Sequence, residues 1–408
     1  MADLSVEFAG LKLKNPFIIA SSELTNKLEK IKWAEENGAS AVSTKLAFLE
    51  VPLYARPYHI VEKDGAFYSP SGERMKVEDA QELISQCKEQ TDLKMIANMM
   101  GPGGDLDGWV KLARMLEEAG ADMVELNMSC PNLGLMASQV GKDEKPTLGA
   151  VIGKDPDLAG AVCKAVSEGV DIPVMAKMTP EADTMVVTEA AMKNGAAAAS
   201  AINCPQSLPP LDIKNGGKPM YPSTGNQSTA GLCGPWIRPL AYRHIAQMRT
   251  RCPDFPIAGG GGLMNWRHSV EMIMYGATAL TYCSLLYLKG YKAFRKIEPG
   301  MRKFMDENGY ETLSDMRGLA LQYIVTPGEV DYHPMLPEID VEKCNGCGIC
   351  AAPGHCECIE IIDEKAVLVK PKDCYSCAVC YFLCPKDAIT MKDAPLENTR
   401  AGVAMSEM

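Results

Sequence analysis

The sequence predicts an α/β chain, a (β/α)8 barrel followed by a small α+β module dense in cysteine. Three observations predict it. Eight runs of β-forming residues alternate with amphipathic helix patterns over about the first 310 residues, the alternation that builds a parallel sheet covered by helices. Gly259 to Gly262 close the seventh run, and polar residues close several others. Nine of the 16 cysteines then fall between Cys344 and Cys384. A doubly wound sheet is the competing architecture, because strand count alone fits both.

At 408 residues the chain is long enough for a large core plus a module. Its hydrophobic fraction of 47% and charged fraction of 23% are those of a globular protein. A formal charge of -11 has the wrong sign for a surface that tracks phosphates, so nucleic acid is not an expected partner. No window reaches the roughly 18–20 apolar residues of a membrane span, so no membrane partner is expected. Met1-Ala-Asp-Leu-Ser lacks the basic and apolar regions of a signal peptide. Seven cysteines are scattered over the first 283 residues, unlike the even spread of a secreted disulfide scaffold. The expected location is therefore a reducing cytoplasm.

Taken in order, residues 4–15 alternate apolar and polar about Gly10 and predict a hairpin. The eight strands are expected at 16–22, 40–46, 94–100, 122–129, 173–179, 196–203, 255–261 and 278–284. Helices are expected at 107–119, 182–194, 236–250 and 266–275; in the first, Val110, Leu112, Met115 and Leu116 share a face. The loops 47–76, 131–154 and 204–233 are long for strand-to-helix connections and read as lids or cofactor contacts. The expected organisation is a barrel over 1–312, a proline-bearing linker over 313–338, the cysteine module over 339–392 and a polar tail over 393–408. That tail is expected to be disordered or to lie along a partner subunit.

The chemistry centres on Glu125-Leu-Asn-Met-Ser-Cys-Pro-Asn132, where the fourth strand ends. In a parallel α/β fold that rim carries the chemistry. Asn127 offers a donor and an acceptor, and Cys130 offers a proton or a thiolate. Asn203 and Cys204 end the sixth strand and add a second amide to the same rim. Lys45 and Lys177 end the second and fifth strands. A charged residue ending an apolar strand is costly unless paired, so each lysine implies an anionic neighbour, a reduced flavin being one candidate. The glycines after strand seven, with Tyr282-Cys283-Ser284 after strand eight, occupy the usual phosphate site of such barrels. Cys87, Cys163, Cys233 and Cys252 show no ligand spacing and read as structural.

The cysteine module carries the most specific pattern. Cys374, Cys377, Cys380 and Cys384-Pro385 form a bacterial [4Fe–4S] run, and Cys344, Cys347 and Cys350 begin a second. In two-cluster proteins the fourth cysteine of each run ligates the other cluster. One cluster thus takes Cys344, Cys347, Cys350 and Cys384. The other takes Cys374, Cys377 and Cys380 with Cys356 or Cys358, of which Cys356 is preferred. Structural zinc does not call for triple runs.

With these residues in hand, the chain resembles the iron–sulfur flavoprotein subunits of bacterial dihydropyrimidine dehydrogenases and, more broadly, the dihydroorotate dehydrogenase family. The resemblance rests on residues 119–131, 176–180 and 237–241 and on the two cysteine runs, which make the C-terminal module ferredoxin-like. It implies FMN at the barrel mouth, with Ala20, Ser21, Lys45, Asn127, Lys177, Gly231, Gly261, Gly262, Cys283 and Ser284 on family flavin positions. It implies reduction of a ring C=C bond, as from uracil or thymine to the dihydropyrimidine, with hydride from flavin N5 and a proton from Cys130. Asn127, Ser129, Asn203 and Cys204 are then substrate contacts. It also implies an electron-donating partner, either a pyridine-nucleotide and FAD-binding diaphorase subunit or a ferredoxin, and a homodimer or heterotetramer. Two departures stand out. The loop after strand three, Met100-Gly-Pro-Gly-Gly104, lacks the family's asparagine, and Asn203-Cys204 stands where the family has Asn-Thr. They keep two other readings in play: the same chemistry on another cyclic amide, activated ring or enone, and an electron-transfer subunit without a substrate of its own.

Overall fold

Eight short strands pair in parallel and in chain order, and the last returns to the first. They are β1 (Phe17–Ile19), β2 (Ala41–Ser43), β3 (Lys94–Met99), β4 (Met123–Asn127), β5 (Val174–Lys177), β6 (Ala198–Ala201), β7 (Ile257–Gly260) and β8 (Ala279–Tyr282). Pairing of β8 with β1 and of β3 with β4 closes the sheet, which decides for the barrel over a doubly wound sheet. The computed structural model describes residues 2–51, 57–131, 147–221, 224–354, 356–395 and 398–400. Each strand falls inside its expected run. β6 reads Ala-Ala-Ser-Ala, a poor β-former, and is held as a strand by parallel neighbours on both sides.

Eight helices follow the strands: α1 (Leu28–Glu36), α2 (Val77–Gln90), α3 (Leu106–Glu118), α4 (Pro156–Ser167), α5 (Thr184–Lys193), α6 (Arg238–Arg251), α7 (Trp266–Met274) and α8 (Ile297–Asn308). Several begin on a side-chain cap. Asp105, Asp155, Asp183 and Asn265 accept from backbone N–H groups of α3, α4, α5 and α7. Each such cap contributes about 1 kcal/mol and fixes where the preceding loop must end. The expected hairpin is present, with Val6–Phe8 antiparallel to Leu11–Leu13 and Val6, Phe8, Leu11 and Leu13 buried.

The long loops are not simple lids. Parts of 47–76 and 204–233 pair into a four-stranded antiparallel sheet of Gln206–Ser207, Ala230–Cys233, Phe67–Ser71 and Tyr58–Val61. Sequence patterning missed it because its strands are two to five residues long. Within 131–154, residues 132–146 lie outside the described residues. After β3, Gly101 has a steric reason. Trp109 is fully buried, its Nε1 donates to the Pro102 carbonyl at 2.9 Å, and a Cβ at Gly101 would sit 3.1 Å from the indole.

The chain divides into two compact units, Met1–Ile324 and Val325–Met408. The stretch expected as a linker, 313–338, is shared between them. Leu313–Met316 is a helical turn whose Leu313 and Met316 are buried in the first unit. Met335–Ile339 is a strand of the second, paired with Ile389–Asp393. That second unit also holds the hairpin Ile359–Ile362 with Lys365–Leu368 and a short helix, Val379–Leu383. Of the expected tail, Asp393 ends a strand and the Arg400 backbone N–H donates to the Cys374 carbonyl at 3.1 Å. Thr399 is buried, so described tail residues pack against the module; residues 401–408 lie outside the described residues.

Candidate active site

The strand rims and the added antiparallel sheet surround a cavity of about 190 Å³. That is room for a ring system rather than a single water. Its wall joins Ala20 and Ser21 after β1, Lys45 after β2, Asn127 ending β4, Cys130 just beyond it and Lys177 ending β5. It continues through Asn203 and Cys204 after β6, Gly231 of the added sheet, Gly261 and Gly262 after β7, and Cys283 and Ser284 after β8. All ten positions named for a flavin therefore face one space together with Cys130. Ser129 is buried beneath this wall and is not part of it.

The floor is a chain of buried polar groups. The Glu125 carboxylate accepts from Ser43 Oγ at 2.6 Å, from Ser200 Oγ at 2.6 Å and from Asn98 Nδ2, and Lys177 Nζ lies 3.6 Å away. Burial alone would raise this carboxyl; Lys177 and the three donors outweigh it and hold it well below the usual carboxylate range. Asn127 Nδ2 donates to Asn98 Oδ1 at 3.2 Å, while Asn127 Oδ1 accepts from Ser129 Oγ at 2.9 Å. Asn203 Nδ2 reaches Ser129 Oγ at 2.9 Å. The two amides expected on one rim are thus linked through Ser129. Cys130 follows directly, its carbonyl held by the Ala150 N–H at 3.1 Å.

Charge at the mouth is gathered around Glu23. It accepts from Lys45 Nζ at 2.9 Å, Tyr287 Oη at 2.7 Å and the Glu73 N–H at 2.8 Å, and His59 Nε2 lies 3.6 Å away. Burial would raise the Glu23 carboxyl, but His59, Lys45 and Tyr287 hold it far below the usual range. Burial pulls the Lys45 ammonium down, against the opposing pull of Glu23. The anionic neighbours that the two lysines required are therefore protein carboxylates, Glu23 and Glu125, and the lysines give no independent argument for a cofactor anion. Arg74 is different: its Nη2 approaches Cys130 Sγ at 3.8 Å.

The cysteines divide by place. Cys204 is bonded to Cys233, so the residue expected as a substrate contact lines the cavity as one half of a disulfide, and Cys233, expected to be structural, is the other half. The physical reason is proximity, since strand Ala230–Cys233 folds back beside residues 204–207 with a Cα–Cα separation of 5.6 Å. Cys87 and Cys163 are core residues, and burial pushes each thiol up to about 12. Burial pushes Cys283 up to about 11. In the second unit, one cavity is lined by Cys344, Cys347, Cys350 and Cys384, and another by Cys356, Cys358, Cys374, Cys377 and Cys380 with Cys350. Backbone N–H groups point at three of these sulfurs: Ala366 at Cys344, Ser376 at Cys374 and Ala388 at Cys384, at 3.3–3.4 Å. Cys358 is buried in the small core of this unit, and its Sγ lies 3.2 Å from that of Cys356.

Sequence reasoning missed Asn98, Glu125, Glu23, His59 and Arg74. Glu125 was open to the argument used for the lysines, a charge inside an apolar strand. Glu23 begins a short 3-10 turn, His59 stands in the four-residue strand Tyr58–Val61 and Arg74 in a connection, all too short to show periodicity, and it is the added sheet and the β1 loop that bring them to the mouth.

Comparison with known proteins agrees with this geometry. The sequence pattern of the family described as dihydroorotate dehydrogenase matches residues 3–305. The chain is 33% identical over 360 residues to the NAD-dependent dihydropyrimidine dehydrogenase subunit PreA of Escherichia coli, covering 85% of this chain and 84% of the relative. It is 32% identical over 327 residues to the dihydroorotate dehydrogenase B (NAD(+)) catalytic subunit of Pyrococcus abyssi, covering 78% of this chain and 99% of the relative. The same catalytic subunit from Methanosarcina mazei is 33% identical over 325 residues, 79% of this chain and 96% of the relative.

Proposed function

We propose that this chain, which belongs to the dihydroorotate dehydrogenase family of oxidoreductases, reduces the C=C bond of a pyrimidine-like ring with FMN in the barrel mouth and two [4Fe–4S] clusters in the cysteine module. The substrates in this reading are uracil and thymine, and the products are the 5,6-dihydropyrimidines. The observation that carries it is the position of Cys130. Its thiol lines the cavity one residue beyond a fixed amide–hydroxyl chain of Asn127, Ser129 and Asn203.

The wall fits FMN. Ten residues from seven separate segments face one cavity, and two lining atoms, His59 Nδ1 and Arg74 Nε, are buried without a partner among the described residues. Gly261 and Gly262 have φ of +123° and +75°, and a Cβ on Gly262 would sit 2.5 Å from the Gly234 carbonyl, so the rim where the phosphate would lie tolerates no side chain. Bound there, FMN supplies hydride transfer and one-electron exchange. The chain does the rest. Asn127 and Asn203 offer amide groups to the polar edge of a planar ring. Cys130 gives its proton to the carbon beside the one that takes hydride, a step worth about 10²–10⁴-fold in rate. Lys177 and Glu125 keep the floor charged and rigid beneath it.

In the second unit, the two cysteine-lined cavities support one cluster on Cys344, Cys347, Cys350 and Cys384 and one on Cys374, Cys377, Cys380 and Cys356. The N–H···S contacts suit cluster thiolates, whose potential such bonds tune. Electrons would come from a partner, a pyridine-nucleotide diaphorase subunit or a ferredoxin, to a cytoplasmic homodimer or heterotetramer. Among the described residues no helix is long and apolar enough to cross a membrane.

The test is anaerobic. Reduced protein is mixed with uracil or thymine while flavin and cluster absorbance are followed. Rapid reoxidation with formation of the dihydropyrimidine is expected, slowed about 10²–10⁴-fold in Cys130→Ala with flavin and iron content unchanged. If the reduced, fully loaded protein is not reoxidised, the pyrimidine assignment falls. If Cys130→Ala is as fast as wild type, the proton comes from elsewhere.

A further inference from the structure

Two sulfurs of the cavity wall have no part in the ring chemistry. Cys204 follows β6 and Cys233 ends the strand Ala230–Cys233, and both line the space that Cys130 and the ten flavin positions share. The segments they join are already held by backbone pairing. Gln206 lies opposite Gly231, Ser207 lies opposite Ala230, and the Leu232 N–H donates to the Pro205 carbonyl at 2.8 Å. The fold therefore does not need the bond to place these strands. Gly231 shows how near the sulfurs stand to the reacting groups. A Cβ added there would sit 2.9 Å from Cys204 Cβ and 3.7 Å from both Cys204 Sγ and Pro131 Cγ. Gly231 is itself one of the flavin positions, Cys233 Sγ lies 3.7 Å from its carbonyl, and Pro131 directly follows Cys130. Cys233 is only 7% exposed, so a reductant seated in the cavity meets the bond more readily than a thiol in bulk solvent. In a reducing compartment a disulfide that persists is usually catalytic or redox-sensing rather than a staple.

We propose that Cys204 and Cys233 are a redox-active pair, whose disulfide is reduced by the flavin of the same cavity. The site then has a dithiol–disulfide activity beside ring reduction. The step is a two-electron exchange. The S–S bond breaks, two S–H bonds form, and the pair takes two electrons and two protons while the reduced flavin returns to its oxidised form. Reversed, the dithiol gives the same electrons back. The pair is thus a two-electron store one step from the flavin, and a chain carrying the closed bond consumes one round of reduction before its flavin stays reduced. The bond also bears on the ring contact beside it, since the Cys204 N–H donates to Asn203 Oδ1 at 2.8 Å. This inference rests on the flavin of the function proposed above, and not on the identity of the substrate.

The experiment uses the protein with its flavin and clusters, without ring substrate and without oxygen. Dithionite is added in small portions, each left until none remains. Flavin absorbance is read after each portion, and samples are denatured, alkylated and mapped by mass spectrometry. In wild type the early portions should bleach the flavin only transiently, its colour returning as Cys204 and Cys233 become alkylatable. Wild type should take up about two electron equivalents per chain more than Cys233→Ser or Cys204→Ser before its flavin stays bleached. Glutathione added to the oxidised protein should leave the pair joined over the same time. The inference is overturned if flavin and clusters bleach fully while Cys204 and Cys233 stay joined. It is overturned equally if the thiols appear with no flavin bleaching before them, if glutathione opens the bond as fast, or if the pair is already reduced in the oxidised protein. Alkylation of wild type decides the matter even where a serine variant fails to fold. A protein that takes up no flavin sinks the function proposed above and this inference with it; a bleached flavin beside an intact bond sinks this inference alone.

Discussion

Replacing Glu125 by Gln tests the floor of the site most directly. The side chain keeps its shape but loses its charge. The Gln carbonyl can still accept from Ser43 and Asn98, and its amide can face Ser200, whose hydroxyl rotates to accept. What is lost is the partner of Lys177, an ammonium only 12% exposed with no other carboxylate within 4 Å among the described residues. Removing one member of a buried pair costs about 3–5 kcal/mol. Over the unit Met1–Ile324, an unfolding entropy of about 2.1 cal/mol/K per residue converts this to a fall in Tm of about 4–7 °C. Glu125→Leu should fall further, because Asn98 Nδ2 and two hydroxyls then lose their acceptor. The assay is thermal melting across pH. Because the folded carboxyl is held below its ordinary value of 4.5, its contribution is fully present above that pH and is lost as pH falls through the folded value. The gap between wild type and Glu125→Gln should hold from pH 8 to 5 and narrow below 4.5. A Glu125→Gln protein that melts within 1 °C of wild type at neutral pH would refute the reasoning, since Glu125 would then not be an ionised partner of Lys177.

Three further outcomes follow from particular contacts. His244 is buried against Thr184 Oγ1 and Arg243, and burial with the Arg243 charge pushes it down to about 4 from an ordinary 6.5, so its neutral form is the folded one. Stability should be full above pH 6.5 and decline toward pH 4, by about 2 kcal/mol between pH 7.5 and 5; His244→Gln should flatten that slope in melts, and an unchanged slope would show that other groups cause it. Cys204 and Cys233 are bonded, so unfolded, cluster-free protein alkylated without reductant should show 14 reactive thiols rather than the 16 found after reduction. Sixteen in both conditions, counted by mass spectrometry, would mean the bond is absent. Cys356→Ala should cost one cluster by iron analysis and Cys358→Ala should cost stability instead; the reverse pattern would make Cys358 the eighth ligand.

The barrel was legible because its signals are periodic and long. All eight strands lie within the runs read from alternating β-formers and helix patterns, and four of the eight helices begin on Asp or Asn caps. The N-terminal hairpin was legible for the same reason, its buried residues alternating about Gly10. The boundary near 313–338 was harder. Its prolines signal a break, but Leu313 and Met316 turn inward on the first unit and Met335–Ile339 pairs with a strand some fifty residues later. Neither fact is local. The Cys204–Cys233 bond was illegible on similar grounds, for the partners are 29 residues apart and meet only when the added sheet forms.

That contrast follows a division within the site itself. Ser43, Asn98, Glu125, Lys177 and Ser200 come from five successive strands, and the register sets Asn98 beside Glu125 and Lys177 beside Ser200. Backbone pairing thus brings the floor together, and a strand residue that breaks an apolar run can be recognised from sequence. Glu23, His59 and Arg74 belong to the wall instead. They stand on the loop after β1 and on the connection between β2 and α2, where no hydrophobic period constrains the residue type. After β3 the constraint at Gly101 is one of packing, since an added Cβ would sit 3.1 Å from the Trp109 indole. The strand-borne groups are therefore fixed by barrel register, and the wall groups by the connections that carry them.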